Sequence, residues 1–407
     1  MQTSLAISNH EHKARTEKLL HFLRSKRLTG VVLFDRDYIL YYTGFAFIPT
    51  ERPIAFVMNA EGESALFVPR LELEHARANA VVARVAHYSE YPDSLHPMGA
   101  LRKLLIDMGI TGGTQPMTVL GNTFGCDTDG YPWIFGYRGP SLSELTGTRP
   151  RTIADFIEDQ MMIKSPGEIA LIRESVKWGN LAHTLLQRYT RVGLTETEVS
   201  QRASQEATRA MLDAIGPVYR GLSPYFSGVH TGYRGQIGRN AAIPHALANN
   251  ITFRPGDVLV TGASADVWGY NSELERTMII GPPSDAQKRM FDHMLALQEL
   301  AIQALQPGIP CAEVDRAVRA YYQKHDLMPY WKHHTGHAIG LRYHEGPFLD
   351  LGDTTKILPG MVFTVEPGLY APDLGGFRHS DTVLITEGGT EVLTYYPRDL
   401  ESLTLPL

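Results

Sequence analysis

Apolar and polar residues alternate in two different periods along the first 155 residues. Apolar positions three and four apart predict amphipathic helices over residues 11–27 and 93–108. Short apolar runs bounded by polar turns predict strands over 30–35, 53–57, 64–68 and 117–120. Strands that alternate with helices favour an open sheet flanked by helices. The first part of the chain is therefore predicted to be an α/β domain.

A sequence pattern typical of a helix N-terminus follows this region. Ser165 can cap a helix, Pro166 suits its first position, and Glu168 completes a capping box. We place the domain boundary just before this junction, which gives domains of residues 1–157 and 158–407.

Beyond the junction, helical periodicity predicts helices over 200–212 and 285–305. The second helix should end before Pro307 and Gly308, because proline removes a backbone donor. Apolar runs over 258–262, 277–280, 361–366 and 382–386 predict strands. Long strands joined by hairpins, with helices outside, favour an α+β fold for this domain.

Composition removes several classes of function. The 407 residues are 43% hydrophobic and 20% charged, with a formal net charge of −6. No basic excess is present to neutralise phosphates, so nucleic acid is not an expected partner. Neither a secretory leader nor an apolar run long enough for a membrane span is visible. Cys126 and Cys311 lie far apart, which favours a reducing cytoplasm.

Five segments of the second domain carry residues suited to chemistry. They are Asn240–His245 (N-A-A-I-P-H), Gly269–Thr277 (G-Y-N-S-E-L-E-R-T), His334–Glu345 (H-T-G-H-A-I-G-L-R-Y-H-E), Val365–Gly368 (V-E-P-G) and Gly375–Asp381 (G-G-F-R-H-S-D). In this order the segments resemble the pita-bread hydrolases: creatinase, prolidase, aminopeptidase P and methionine aminopeptidase. The K-S-P-x-E-I segment also resembles the interdomain junction of the creatinase and prolidase branch. The resemblance implies a creatinase-like N-terminal domain and a C-terminal pita-bread catalytic domain.

The ligand positions depart from those of the metallopeptidases in this family. The resemblance places Asp, Asp, His, Glu and Glu at positions where this chain has Gly262, Glu273, His337, Glu366 and Ser380. Glycine offers no ligand atom and serine only a neutral hydroxyl, so a two-metal centre should be lost. We therefore expect no metal cofactor. The alternative is a single divalent ion, Mn, Co or Zn, on Glu273, His337 and Glu366.

The remaining site chemistry resembles creatinase, which has Glu at the position of Glu273 and uses no metal. Glu273 and Glu366 would form a cradle for a planar guanidinium or amidinium. His245, which corresponds to the acid–base histidine of creatinase, would move the proton. The predicted function is metal-independent hydrolysis of a C–N bond in a small zwitterionic amidino or guanidino compound, creatine-like or ectoine-like. The predicted catalytic residues are His245, Glu273 and Glu366.

Substrate contacts are predicted from two further regions. The spacing of His333, His337 and His344 resembles aminopeptidase P, in which the middle histidine is a metal ligand and the outer two contact substrate. Because no metal is expected here, all three histidines are predicted to contact substrate. Arg52, in T-E-R-P, resembles an arginine that reaches the neighbouring subunit's site in creatinase. A homodimer with Arg52 acting on a substrate carboxylate is therefore expected. His334 receives no predicted role.

Two other functions stay open. The first is a Xaa-Pro aminopeptidase or dipeptidase with a degenerate metal site, against which Gly262 and Ser380 count. The second is a catalytically inactive pita-bread protein that binds a partner, against which the retained His245 and Glu366 count.

Overall fold

The computed structural model describes residues 5–112, 123–224 and 226–407. The chain divides into two compact units, Ile7–Met161 and Met162–Leu407. The sequence placed the boundary at 157/158, which falls inside the helix Ala154–Met162. The strand predicted over 117–120 lies outside the described residues. None of the helices described is long and apolar enough to cross a lipid bilayer.

The first unit is a mixed sheet with helices. Its helices are α1 (Asn9–Ser25), α2 (Arg36–Thr43), α3 (Leu73–Asn79), α4 (Pro97–Asp107), α5 (Leu142–Thr146) and α6 (Ala154–Met162). Its strands are β1 (Gly30–Leu33), β2 (Ala55–Asn59), β3 (Ser64–Pro69), β4 (Arg84–Tyr88), β5 (Gly125–Cys126) and β6 (Arg151–Thr152). The sheet order is β4-β3-β2-β1-β5-β6. The central strands β1 to β3 are buried along their whole length, which is why they read as continuous apolar runs.

The second unit combines antiparallel sheets with long helices. Its helices are α7 (Pro166–Tyr189), α8 (Glu196–Ile215), α9 (Asp285–Ala304) and α10 (Cys311–Lys324), with 3₁₀ turns at Gly238–Ala242 and Met328–Tyr330. Its strands are β7 (Val229–Gly232), β8 (Val258–Val260), β9 (Gly262–Ala265), β10 (Thr277–Ile280), β11 (Gly336–Ala338), β12 (Glu345–Leu349), β13 (Val362–Val365), β14 (Gly368–Ala371), β15 (Gly375–Arg378), β16 (Asp381–Thr386), β17 (Gly389–Val392) and β18 (Thr404–Leu405). The largest sheet has the order β12-β11-β13-β16-β17.

The start of the second unit is fixed by a cap and a buried ion pair. Ser165 and Glu168 form the predicted capping box at the start of α7. Just before it, the Lys164 ammonium lies 2.7 Å from a Glu345 carboxylate oxygen, and both side chains are almost fully buried. A buried charge is stable only when it is paired, so this contact holds the beginning of α7 to the first residue of β12.

A second buried ion pair connects strands of two different sheets. Arg276 Nη2 lies 2.8 Å from Oδ1 of Asp381, and both side chains are 0% exposed. The other guanidinium donors of Arg276 reach backbone carbonyls, those of Glu275, Ser380, Tyr396 and Pro397. The pair therefore joins the segment before β10 to the start of β16.

Candidate active site

Three side chains from separate segments converge in the second unit. Glu273 precedes β10, His337 lies in β11, and Glu366 follows β13 directly. One ligand atom from each lies within 4.8 Å of the others. The register of the sheet explains this, because β11 and β16 both pair with β13. The hydroxyl of Thr382 in β16 also holds the backbone of Glu273, accepting from its N–H and donating to its C=O at 2.8 Å each.

The imidazole of His337 is oriented for ligation. Its Nδ1–H donates to the carbonyl of Ala338 at 3.0 Å. Nε2 lies 3.1 Å from Oε1 of Glu366 but has no hydrogen-bond partner among the described residues. Metal-binding histidines are commonly held in this way: one ring nitrogen donates to a carbonyl, and the other faces the ligand cluster.

The three groups perturb one another strongly. Burial opposes a charge on His337, but its close contact with Glu366 and the charge of Glu273 outweigh burial and raise its pKa to about 9. Burial, followed by the charges of Glu366 and Glu275, raises the pKa of Glu273 to about 7. Burial also disfavours the charged form of Glu366, yet His337 and Arg378 hold its pKa well below its usual range. Two carboxylates and one imidazole thus lie within 4.8 Å of one another, which is an arrangement that suits a divalent cation.

The two ligand positions that lack a carboxylate, Gly262 and Ser380, lie beside this cluster. At Gly262, a Cβ atom would have one neighbour within 4 Å among the described residues, Oε1 of Glu275 at 3.7 Å. At the other position, the hydroxyl of Ser380 donates to Oε1 of Glu273 at 2.7 Å. Neither position supplies an anionic ligand.

Two arginine side chains bind the carboxylate of Glu275. Arg378 donates from Nη2 to Oε1 at 2.8 Å and from Nε to Oε2. Arg234 donates from Nη2 to Oε1 at 3.0 Å. Both carboxylate oxygens of Glu275 are thus occupied by arginine. The sequence gave no role to Glu275, Arg234 or Arg378.

His333 is connected to Arg378 through the hydroxyl of Tyr370. Its Nδ1–H donates to the carbonyl of His334 at 2.8 Å, and its Nε2 accepts from the Tyr370 hydroxyl at 2.7 Å. That hydroxyl in turn accepts from Nη1 of Arg378 at 3.0 Å. Both ring nitrogens of His333 are occupied by the protein, so its predicted contact with substrate stays a prediction. Tyr370 was missed, because nothing in its local sequence links it to Arg378.

The other predicted histidines line the site. The rings of His344 and His337 stack with centroids 3.8 Å apart. Desolvation, followed by the charge of His337, lowers the pKa of His344 to about 4. His245 is exposed and follows the 3₁₀ turn Gly238–Ala242. It lines a cleft of about 100 Å³ together with His334, to which the sequence gave no role.

A larger cavity adjoins this cleft. It has a volume of about 370 Å³ and shares Arg234, Glu273, Glu275 and His344 with the cleft. Its apolar wall includes Phe226, whose ring centroid lies 6.3 Å from that of Tyr343. The size and mixed lining suit a small molecule with a polar and an apolar end.

Arg52 lies in the first unit, where it is paired locally. Its Nε lies 2.6 Å from Oε1 of Glu90, and a second nitrogen contacts Glu51. Its predicted action on a neighbouring subunit's substrate stays a prediction.

Comparison with known proteins decides the family. The model of metallopeptidase family M24 matches residues 170–387, and that of the creatinase/prolidase N-terminal domain matches residues 15–117. The chain belongs to metallopeptidase family M24. The two-domain α+β fold with a creatinase-like N-terminal unit is thereby confirmed.

Known proteins also resemble this chain over nearly its whole length. The Xaa-Pro dipeptidase of Pyrococcus furiosus is 28% identical over 391 residues, which cover 95% of this chain and 99% of the relative. The prolidase structure from Pyrococcus horikoshii OT3 superposes with a TM-score of 0.78 at 25% identity, covering 95% of this chain and 99% of that one. Dipeptidase PepE from Mycobacterium ulcerans, at 23% identity, shares the fold with a TM-score of 0.81, covering 99% and 100% of the two chains.

These comparisons correct two predictions. The creatine-like or ectoine-like amidino hydrolase is wrong as the main function, because the full-length relatives from Pyrococcus are named Xaa-Pro dipeptidase or prolidase. The expectation of no metal cofactor is also wrong, because the family is one of metallopeptidases and three ligand atoms still converge. Sequence reasoning weighed the two lost ligands too heavily against the three that remain. The chain is a hydrolase, as predicted.

Proposed function

We propose that this protein hydrolyses the peptide C–N bond of small dipeptides of the Xaa-Pro type. The observation that carries the proposal is the convergence of Glu273, His337 and Glu366 within 4.8 Å, in a chain whose full-length relatives are Xaa-Pro dipeptidases. The predicted runner-up function thus becomes the preferred one.

The three residues suit a divalent ion. Two carboxylates and one imidazole, with an open position for water or substrate, form a common catalytic ligand set. His337 Nε2 lacks a hydrogen-bond partner in the described structure and faces both carboxylates, which fits ligation. When bound, the ion would polarise the scissile carbonyl and acidify water.

Substrate orientation follows from the larger cavity. Arg234 is 46% exposed, and its Nη2 is held by Glu275 and Gln236. Its Nε–H and Nη1–H donors have no hydrogen-bond partner among the described residues and are available to a substrate carboxylate. Phe226 and Tyr343 offer aromatic surface to a proline ring next to that carboxylate.

His245 is the proposed proton carrier. It lines the cleft beside Glu366 and has no hydrogen-bond partner in the described part of the chain. Water adds its oxygen to the carbonyl carbon, the C–N bond breaks, and a proton must reach the leaving nitrogen. A histidine can accept this proton from water and donate it in the same turnover.

The test is release of free proline from Gly-Pro and Ala-Pro. Protein stripped with chelator should be inactive and should recover with Mn²⁺, Co²⁺ or Zn²⁺. Pro-Gly, and Gly-Pro with an amidated carboxyl group, serve as control substrates and should be poor. A folded, metal-loaded protein that releases no proline from any Xaa-Pro dipeptide would refute the proposed substrate class.

Substitution of His245 tests the mechanism. His245→Ala should lower turnover about 10²–10⁴-fold, the usual contribution of general acid–base catalysis. The exposed His21 on α1 offers a matched control, and His21→Ala should leave turnover unchanged. If His245→Ala keeps more than half of the turnover, His245 is not the proton carrier.

The sequence also predicts a homodimer, a small-molecule substrate and a cytoplasmic location, and we retain these as proposals. Both cysteines are free and buried, which supports a reducing compartment. Light scattering on the purified protein tests the dimer.

A further inference from the structure

A buried aspartate on α10 contacts the segment that leads into His337. Asp315 is 0% exposed, and its Oδ1 accepts from the hydroxyl of Thr335 at 2.7 Å. Thr335 is 1% exposed and lies just before β11, the strand that carries His337. A hydrogen bond from a hydroxyl to a charged carboxylate is stronger than one between neutral groups, so this contact fixes the side chain of Thr335.

An arginine holds the other oxygen of the same carboxylate. Nε of Arg319 donates to Oδ2 of Asp315 at 2.7 Å within α10. Cζ of Arg319 lies 4.4 Å from the ring centroid of Trp331, and its Nη2 lies 3.3 Å from Oδ2 of Asp350, which follows β12 directly. Because both oxygens of Asp315 are bound and its charge is compensated, its carboxylate has a fixed direction.

The backbone of Thr335 connects this contact to the segments of two metal-ligand residues. Its carbonyl accepts from the N–H of Glu366 at 2.8 Å. The next residue, Gly336, lies so close to β13 that an added Cβ would be 2.1 Å from the carbonyl oxygen of Thr364. A rotation or shift of Thr335 would therefore move the backbone of Glu366 and be passed along β11 to His337.

We propose that Asp315 and Thr335 are positioning residues for the metal site: Asp315 fixes the hydroxyl of Thr335, and Thr335 fixes the backbone around Glu366 and His337. The inference rests on the metal site of the proposed function. It goes further because it assigns a role to two residues that supply no ligand atom. Groups that orient metal ligands in this way typically contribute about 10–100-fold to metal affinity or activity.

The affinity for Mn²⁺ gives the first test. Chelator-treated protein is titrated by calorimetry well below its melting temperature, so that a loss of stability alone does not change the result. Thr335→Val keeps the shape of the side chain and removes the hydroxyl, and it should raise the Kd for Mn²⁺ about 10–100-fold. Thr335→Ser, which keeps the hydroxyl, should bind Mn²⁺ nearly as tightly as the wild type.

Thr43 in the first unit provides the matched control. It is 0% exposed, and its hydroxyl donates to the carbonyl of Ile39 at 2.6 Å. Thr43→Val should at most lower the melting temperature and should leave the Kd for Mn²⁺ unchanged. If Thr335→Val binds Mn²⁺ as tightly as Thr43→Val, the inference is wrong while the metal site stands. If the wild type itself binds no Mn²⁺, the inference and the metal site both fail.

Further variants test whether Asp315 acts through Thr335. Asp315→Asn removes the charge and should also weaken Mn²⁺ binding. The double variant Asp315→Asn/Thr335→Val should bind no more weakly than Thr335→Val alone, because both substitutions act on the same hydrogen bond. Additive losses would show that the two residues act independently and would overturn the inference. Should Thr335→Val fail to fold, Asp315→Asn decides alone, and an unchanged Kd overturns the inference.

Discussion

Replacing the charged side chain of Asp381 with a neutral amide should destabilise the second unit more than the same kind of replacement at an exposed position. Asp381→Asn keeps the size of the side chain but leaves Arg276 as a fully buried charge without its counter-ion. Burial disfavours the charged form of Asp381, yet Arg276 outweighs it and lowers its pKa, so the aspartate is charged at neutral pH. The native protein therefore contains an ion pair, and the substitution breaks it.

The expected cost follows from burial. Removing one partner of a buried ion pair costs about 3–5 kcal/mol, because the remaining charge is desolvated without compensation. For a unit of this size, each kcal/mol corresponds to a shift of about 2–4 °C in Tm. The variant should therefore melt roughly 6–20 °C lower.

The control is the exposed pair of Arg173 and Glu391, which makes two short nitrogen–oxygen contacts. Both of its side chains are 45% exposed, so Glu391→Gln should cost about 0–1 kcal/mol. Calorimetry of both variants and the wild type at pH 7 gives the comparison. If Asp381→Asn melts no earlier than Glu391→Gln, the buried pair does not stabilise the fold as argued.

Two other predictions concern buried charges and pH. Burial, followed by the charge of Arg15, lowers the pKa of His12 to about 4, so stability that is present above pH 6.5 should be lost as pH falls towards 4. His12→Asn keeps a donor for the Tyr41 carbonyl and should flatten that part of the stability–pH curve; an unchanged curve would contradict the assignment. Lys164→Met should destabilise the protein by about 3–5 kcal/mol by leaving Glu345 unpaired, and adding Glu345→Gln should recover part of the loss; no recovery would refute the coupling.

Local signals in the sequence predicted helices well and their ends less well. The capping box at Ser165 placed the start of α7 correctly, and the apolar period placed α9 to within a residue. Helix α4 begins at Pro97 and not at residue 93, because the side chain of His96 accepts from the N–H of Met98. Helix α8 begins earlier than predicted, at Glu196, because Thr195 caps it. A cap depends on the direction of one side chain, which periodicity does not report.

Contacts between site residues that are far apart in the sequence were also not predicted in full. Motif spacing identified Glu273, His337 and Glu366, and the structure brings these together. The sequence also showed that ligands are missing at Gly262 and Ser380, but not that Glu275 pairs with Arg378 beside Gly262. Glu275 and Arg378 are 103 positions apart and meet only because the segments around Glu275 and Ser380 pair in antiparallel fashion. The wrong expectation of no metal came from counting the lost ligands and not the three that still converge.

The contact between Lys164 and Glu345 sets a practical limit on cutting the chain. The family match begins at residue 170, and a truncated gene designed on that match would omit Lys164, Ser165 and the first turn of α7. Such a fragment would lose the cap and leave Glu345 buried without its ammonium partner, one residue from His344 in the cleft. A fragment that consists of the second unit alone therefore has to begin upstream of Lys164, although the family match begins at residue 170.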